Sequence, residues 1–138
     1  MIEIAVANRF IYARLSGDAT LTGLAPGGIH ENVAEVGSEP PFVVYAFAGG
    51  TPLEVIGGIT VWLNASYTIR AVIRGNDSET ILPIAERIRA LLHLTSGPAT
   101  GGLVFVLRET APVYYPEDDQ GQAWLHAGGQ YEILAQRA

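Results

Sequence analysis

Few side chains in this sequence have the types and spacing that chemistry requires, and the three histidines are the first to consider. His30, His93 and His126 fall in different predicted elements, and none has a second histidine or a carboxylate at the helical spacing that metal sites use. Glu31 follows His30 directly, but adjacent residues of a strand point to opposite faces. We interpret all three histidines as surface or packing residues and expect neither a metal nor a cofactor.

Carboxylates cluster once, at Glu117, Asp118 and Asp119. A calcium loop needs acidic ligands at alternate positions and a distal glutamate, and this run lacks that spacing. It therefore predicts a solvent-exposed acidic loop.

Nucleophile and phosphate-binding motifs are also missing. No serine lies in a Gly-x-Ser-x-Gly turn, the chain has no cysteine, and without lysine none of its glycine pairs can complete a phosphate-binding P-loop. The sequence favours a protein that is not an enzyme. The alternative is a small α+β ligand-binding or enzymatic domain, in which Tyr114, Tyr115, His126 and Arg108 would have to converge in one cavity.

Trp62, Arg70 and Arg74 share the even-numbered face of one long predicted strand. Basic and aromatic residues on one surface can bind nucleic acid, but the net charge of −6 opposes contact with phosphate backbones. Tryptophan and arginine are also enriched in the residues that dominate protein interfaces. We predict that these three residues belong to a subunit interface.

The composition points to oligomerisation. The 138 residues are 49% hydrophobic and only 16% charged, against a usual charged fraction of about 25%. The length suits a single domain spanning residues 1–138. No apolar run approaches the roughly 18–20 residues that span a membrane, and the opening Met1–Ile4 segment lacks the basic and apolar regions of a secretory signal. We expect synthesis to end in the cytoplasm, with the excess apolar surface buried between subunits.

Two segments show helical periodicity. Residues 2–16 form the first, with Asp18 as a plausible N-cap for a short turn that follows. The second carries its apolar face at Ile81, Ile84, Ala85, Ile88, Leu91 and Leu92. Because Pro83 fits best in a first turn, we predict Thr80 as the N-cap of this helix in preference to Asp77.

Alternating or continuous apolar runs predict the strands, of which Ile59–Ile73 has the clearest period of two. The others are Ile29–Val36, Phe42–Phe47, Leu103–Thr110 and Gln130–Gln136. Together these elements predict an α+β fold: a two-layer sandwich with a four- to five-stranded, mostly antiparallel sheet and two helices packed on one face.

The order of these features resembles the phage tail terminator family, also called tail completion or tail-to-head joining proteins. The resemblance rests on three sequence segments: Arg14-Leu15-Ser16-Gly17-Asp18-Ala19-Thr20-Leu21, Gly27-Gly28-Ile29 and Pro40-Pro41-Phe42-Val43-Val44-Tyr45. A long strand over Tyr67–Arg74, the helix over Ile84–Leu92 and two closing strands follow in the same order.

The resemblance implies a structural virion protein of the tail or neck that forms a hexameric ring. Such a ring caps the tail tube, ends tail polymerisation and offers a surface for head–tail joining. The implied partners are further copies of the chain, the tail tube protein, the head–tail connector and the tail sheath, while DNA passes through the lumen without specific binding. No catalytic residues are implied. A connector or tube-like subunit of the same particle is the alternative within phage proteins.

Overall fold

Along the chain, two helices are followed by three strands, a third helix and three further strands. A computed structural model describes residues 2–138, apart from the side chains of Ile59 and Leu107. The bounds of the helices and strands are α1 (Ile2–Ser16), α2 (Ala19–Leu24), β1 (Ile29–Glu31), β2 (Phe42–Val55), β3 (Ile59–Arg74), α3 (Ser78–Leu92), β4 (Ser96–Ala99), β5 (Gly102–Asp119) and β6 (Gln122–Arg137).

The predicted fold class is wrong. The described strands make one curled, mixed sheet in the order β1-β2-β3-β6-β5-β4, and strand residues are 51% of the chain. Strand β1 runs parallel to β2, and the other pairs are antiparallel. The result is a sheet-dominated half-barrel and not a four- to five-stranded, two-helix sandwich.

The error comes from long hairpins whose ends look like loops in sequence. Strand β5 continues through Pro112, Pro116 and the acidic run, all of which pair with β6. Strand β4 covers Ser96–Ala99, where the sequence pattern predicts no strand. Proline is tolerated on an edge strand where its nitrogen does not have to donate a hydrogen bond to the neighbouring strand. Composition therefore suggested a loop where cross-strand pairing formed a strand.

The core lies between the helices and one face of the sheet. Helix α1 contributes Val6, Phe10 and Ile11, and the odd-numbered residues of β3 from Leu63 to Ile73 lie in the same cluster, as the period of two predicted. Ile59, where that alternation begins, has a side chain outside the described residues. Tyr67 and Tyr131 are the largest fully buried side chains. The even-numbered residues of β3 therefore face away from the helices, on what we call the outer face.

Of the two predicted N-caps, one is correct and one is wrong. Asp18 caps α2, and its carboxylate accepts a hydrogen bond from the amide of Leu21 at 2.8 Å. Helix α3 begins one turn earlier than predicted, because Asp77 and not Thr80 is its N-cap. The Asp77 carboxylate accepts bonds from the amide of Glu79 at 3.0 Å and from the hydroxyl of Thr80 at 2.8 Å. These bonds satisfy the helix start, and Pro83 is left inside the helix.

Strands β2 and β5 each have one edge that no described strand covers along most of its length. Strand β1 covers only residues 43–45 of β2, and β4 covers only residues 102–105 of β5. The remaining edges carry Pro52 on β2 and Pro112 and Pro116 on β5. Proline on an edge removes donors that another chain could pair with. We infer that these prolines limit uncontrolled sheet extension.

None of the described helices is long and apolar enough to span a membrane.

Candidate assembly surface

The outer face of the sheet carries an exposed apolar patch at the end formed by the β2–β3 hairpin. Trp62 pairs with Leu53 across β2 and β3, and Phe105 pairs with Leu134 across β5 and β6. Trp62 is 36% exposed and Leu53 is 48% exposed. Leu103 completes what we call the hairpin patch, defined as Leu53, Trp62, Leu103, Phe105 and Leu134. Contiguous apolar surface of this kind is typical of protein interaction sites.

The hairpin itself projects beyond the core. Every residue from 51 to 58 is exposed, and the turn carries Ile56 fully in solvent. Gly57 and Gly58 both have positive φ, which only glycine adopts at little cost, and they allow the chain to reverse there. The hairpin therefore presents apolar side chains where no part of the described chain covers them.

At the opposite end of the outer face, Arg70, His126 and Glu117 form a hydrogen-bonded chain. Arg70 Nε donates to His126 Nδ1 at 3.1 Å, and His126 Nε2 lies 2.8 Å from Glu117 Oε1. Because the guanidinium can only donate, Nδ1 must accept, so the proton of the neutral ring is on Nε2 and is donated to Glu117. Tyr115 stacks on the ring with centroids 4.5 Å apart. The cluster holds β3, β6 and β5 together.

A glycine allows strands β3 and β6 to approach closely beneath this cluster. Arg70 lies opposite Gly128 in the β3–β6 ladder, and His126 lies opposite Val72. A Cβ at Gly128 would collide with the carbonyl oxygen of Ile69, so no larger residue fits between the strands there. No sequence motif indicates this arrangement, because residues 70 and 126 meet only through the strand register.

Arg74 lies beside this cluster and is held by two contacts. Its guanidinium carbon is 5.3 Å from the ring centroid of Trp124, its cross-strand partner, within the range of cation–π attraction. Its Nη1 is 3.8 Å from the Glu39 carboxylate. Next to Arg74, a depression of about 460 Å³ is lined by Arg70, His126, Glu117 and Trp124 together with Phe42, Val44 and Val72.

The three predicted interface residues therefore lie at two places on one face. Arg70 and Arg74 are close together, whereas Trp62 is eight residues from Arg70 along β3, roughly 26 Å away. Their predicted role in subunit contacts stays a prediction.

The polar set considered for an enzyme does not converge. Tyr115 and His126 stack, but Tyr114 pairs with Ala127 and so lies on the opposite face of the sheet. Arg108 is beside Glu132 at 3.8 Å, six residues along β6 from His126. Within residues 2–138, no group of three or more histidine or acidic side chains is arranged to hold a metal.

The remaining histidines contact local backbone. His30 Nε2 is 2.8 Å from the Gly27 carbonyl, and His93 Nδ1 accepts from the amide of Glu109 at 3.2 Å. His93 is also the C-cap of α3. Both side chains act as packing residues.

Comparison with known proteins gives the family. The family model for tail completion protein gp17 matches residues 9–125. No curated protein matches the sequence. A chain from the virion of a native gene transfer agent particle has a similar structure, with a TM-score of 0.56, 12% sequence identity, and coverage of 95% of this chain and 98% of that one. That likeness shows a shared fold. Because the family model covers most of the sequence, the chain belongs to the tail completion protein gp17 family and is a structural component of the phage tail or neck.

Proposed function

We propose that this protein forms a ring that caps the completed tail tube, ends tail polymerisation and provides the surface to which the head joins. The family match over residues 9–125 carries the proposal, because it covers both the helical layer and most of the sheet. The exposed hairpin patch supports it, since a chain with this much uncovered apolar surface gains stability from burying it against another subunit.

The ring is proposed to be a hexamer with contacts of the head-to-tail kind. In such a contact, two different surfaces of each copy meet, and the ring closes when the rotation between copies is a whole fraction of a turn. The outer face supplies two separate surfaces, the hairpin patch with Trp62 and the end with Arg70 and Arg74. We place these three residues in the subunit contacts.

Its partners are proposed to be the tail tube protein on one side of the ring, the head–tail connector on the other, and the sheath where a tail has one. DNA would pass through the lumen. The net charge of −6 supports passage without tight binding, because acidic surfaces repel phosphate backbones.

Trp62→Glu tests the role of the hairpin patch. The charge should keep the patch in water, so native mass spectrometry should detect a ring for the wild type and a folded monomer for the variant. Leu82→Glu is the matched control, because Leu82 is 45% exposed on α3, outside the patch. An intact ring in Trp62→Glu would remove Trp62 from the interface.

Electron microscopy of particles made without this protein tests the function itself. A tail terminator should leave tails of uncontrolled length and heads without tails when it is absent. Tails of normal length would instead favour the alternative function, a connector, and the loss of all tube polymer would favour a tube subunit. A ligand-binding or enzymatic domain has less support, because its polar residues do not converge.

A further inference from the structure

A second surface, on the helical side of the molecule, has unpaired positive charge. A groove of about 470 Å³ runs between α1 and β4. Its walls include Phe10, Ala13 and Pro98, and two arginines of α1, Arg9 and Arg14, also line it. We call it the arginine groove.

Backbone contacts fix both guanidinium groups in place. Arg9 Nη1 donates to the Thr100 carbonyl at 2.9 Å, and Arg14 Nε donates to the Leu91 carbonyl at 2.9 Å. Each arginine has further N–H groups free to bind another acceptor. The groove is therefore prepared for carboxylates at little additional cost in side-chain entropy.

Among the described residues, Arg9 and Arg14 form no ion pair with a carboxylate, whereas most arginines of this acidic protein do. The chain has 14 acidic residues and 8 arginines. Within the described residues, carboxylate partners lie within 4 Å of Arg74, Arg87, Arg89, Arg108 and Arg137. Neither Arg9 nor Arg14 has such a partner in that part of the chain. Two guanidinium groups beside one groove, with no carboxylate within 4 Å among the described residues, favour an acidic occupant.

The chain carries an acidic segment of its own at the tip of the β5–β6 hairpin. Residues Glu117, Asp118 and Asp119 are exposed there, next to the turn at Gln120 and Gly121. Asp118 Oδ1 accepts the amide of Gly121 at 2.9 Å, which shapes the turn and leaves Oδ2 without a described partner. Glu117 is bound to His126, so Asp118 and Asp119 are the carboxylates open to another molecule.

The tip cannot reach the groove of its own chain. Strand β5 begins beside β4 at Gly102 and reaches the tip at Asp119, a separation of roughly 55 Å along an extended strand. The two charged surfaces therefore lie at opposite ends of the molecule.

We propose that the acidic tip of one copy docks in the arginine groove of a second copy. Asp118 and Asp119 leave β5 on opposite sides, so each carboxylate would meet one of the two arginines, Arg9 and Arg14. This inference rests on the proposed ring and names a contact that holds it together. The charges are complementary, and surfaces at opposite ends of a protomer generate a head-to-tail contact that can close into a ring. Guanidinium and carboxylate groups form strong paired hydrogen bonds in this arrangement.

Charge reversal followed by mixing tests the contact. The first variant, R9E/R14E, has an acidic tip and an acidic groove, whereas the second, D118R/D119R, has a basic tip and a basic groove. Each variant alone should therefore repel itself and require at least a tenfold higher concentration to assemble. In an equal mixture every tip meets a groove of opposite charge, so rings should return with the two variants in a 1:1 ratio. Native mass spectrometry measures both mass and composition.

Controls separate this contact from the ring itself. All four substituted side chains are exposed, so circular dichroism should show folded proteins. Ala90→Glu, an exposed charge change on α3, should leave assembly unchanged. If either double variant forms rings alone as readily as the wild type, or if the mixture does not assemble, the tip–groove contact is overturned while the ring proposal stands. A wild type that stays monomeric overturns both.

Discussion

Arg87 on α3 binds Asp18, the N-cap of α2, through two hydrogen bonds. Arg87 Nε is 2.9 Å from Asp18 Oδ2, and Nη2 is 2.6 Å from Oδ1. The Arg87 bonds, with the Leu21 amide, lower the pKa of Asp18 from its ordinary value of 3.8 to about 2. One carboxylate thus starts α2 and connects it to α3, although the two residues are 69 positions apart.

Replacing this carboxylate should change how stability depends on pH. A lowered pKa in the folded state means that the ion pair stabilises the protein fully above about pH 4 and is lost as pH falls toward 2. Asp18→Asn keeps a good N-cap but removes the charge. The variant should be less stable than the wild type at neutral pH, and the difference should shrink between pH 4 and 2. Urea unfolding at each pH measures it, and a constant difference would contradict the assignment.

The hydroxyl of Tyr67 should contribute measurably to core stability. It donates to Asn8 Oδ1 at 2.7 Å, with the Ile4 carbonyl at 3.3 Å, and the side chain is fully buried. Burial also raises the pKa of Tyr67. Tyr67→Phe keeps the packing and removes the bond, so the free energy of unfolding should fall by about 1 kcal/mol. Tyr12→Phe, at an exposed site on α1, should change it little.

Gly128 should be far less tolerant of alanine than Gly23. At Gly128 the added methyl meets the Ile69 carbonyl and the Arg70 backbone, so strands β3 and β6 must separate. We expect Gly128→Ala to destabilise the protein by about 2–3 kcal/mol. Gly23 lies in α2 with open space at its Cβ, so Gly23→Ala should raise stability by about 0.5–1 kcal/mol. Thermal unfolding compares them, and equal effects would refute the close approach at Gly128.

The prolines on the β5 edge should suppress aggregation. Replacing Pro112 and Pro116 by valine restores two amide donors and raises strand propensity. The double variant should stay folded but form assemblies larger than the wild type, with increased light scattering and thioflavin fluorescence. Val113→Thr on the same strand leaves the number of backbone amide donors unchanged and serves as the control. Unchanged scattering in the double variant would show that the edge is protected in another way.

Some elements were predictable because their signals are local. The period of two in β3 and the Asp18 cap were confirmed, since alternating burial and a side chain bonding a nearby amide depend on neighbouring residues. The predicted start of α3 is wrong because Pro83 does not end up in the first turn. The helix begins earlier, at the Asp77 cap, and includes the proline. The length of β5 was wrong because proline and acidic residues usually mark loops, and only pairing with β6 overrides that preference.

The outer-face cluster illustrates what the sequence could not show. Nothing local to Arg70, His126 or Glu117 indicates that they share hydrogen bonds. Their meeting depends on the register of three strands and on the close approach of the β3 and β6 backbones at Gly128.

By itself, the sequence determined the acidic balance, the apolar excess, the long amphipathic strand and the absence of familiar catalytic motifs, because each is a property of composition or short spacing. Tertiary structure alone decided that the sheet curls into a half-barrel with long hairpins and that Trp62 lies apart from Arg70 and Arg74. It also decided that Arg9 and Arg14 lie beside one groove, with no carboxylate within 4 Å in the part of the chain that the structure describes. These features depend on cross-strand pairing and helix packing, which bring together residues that are distant in sequence.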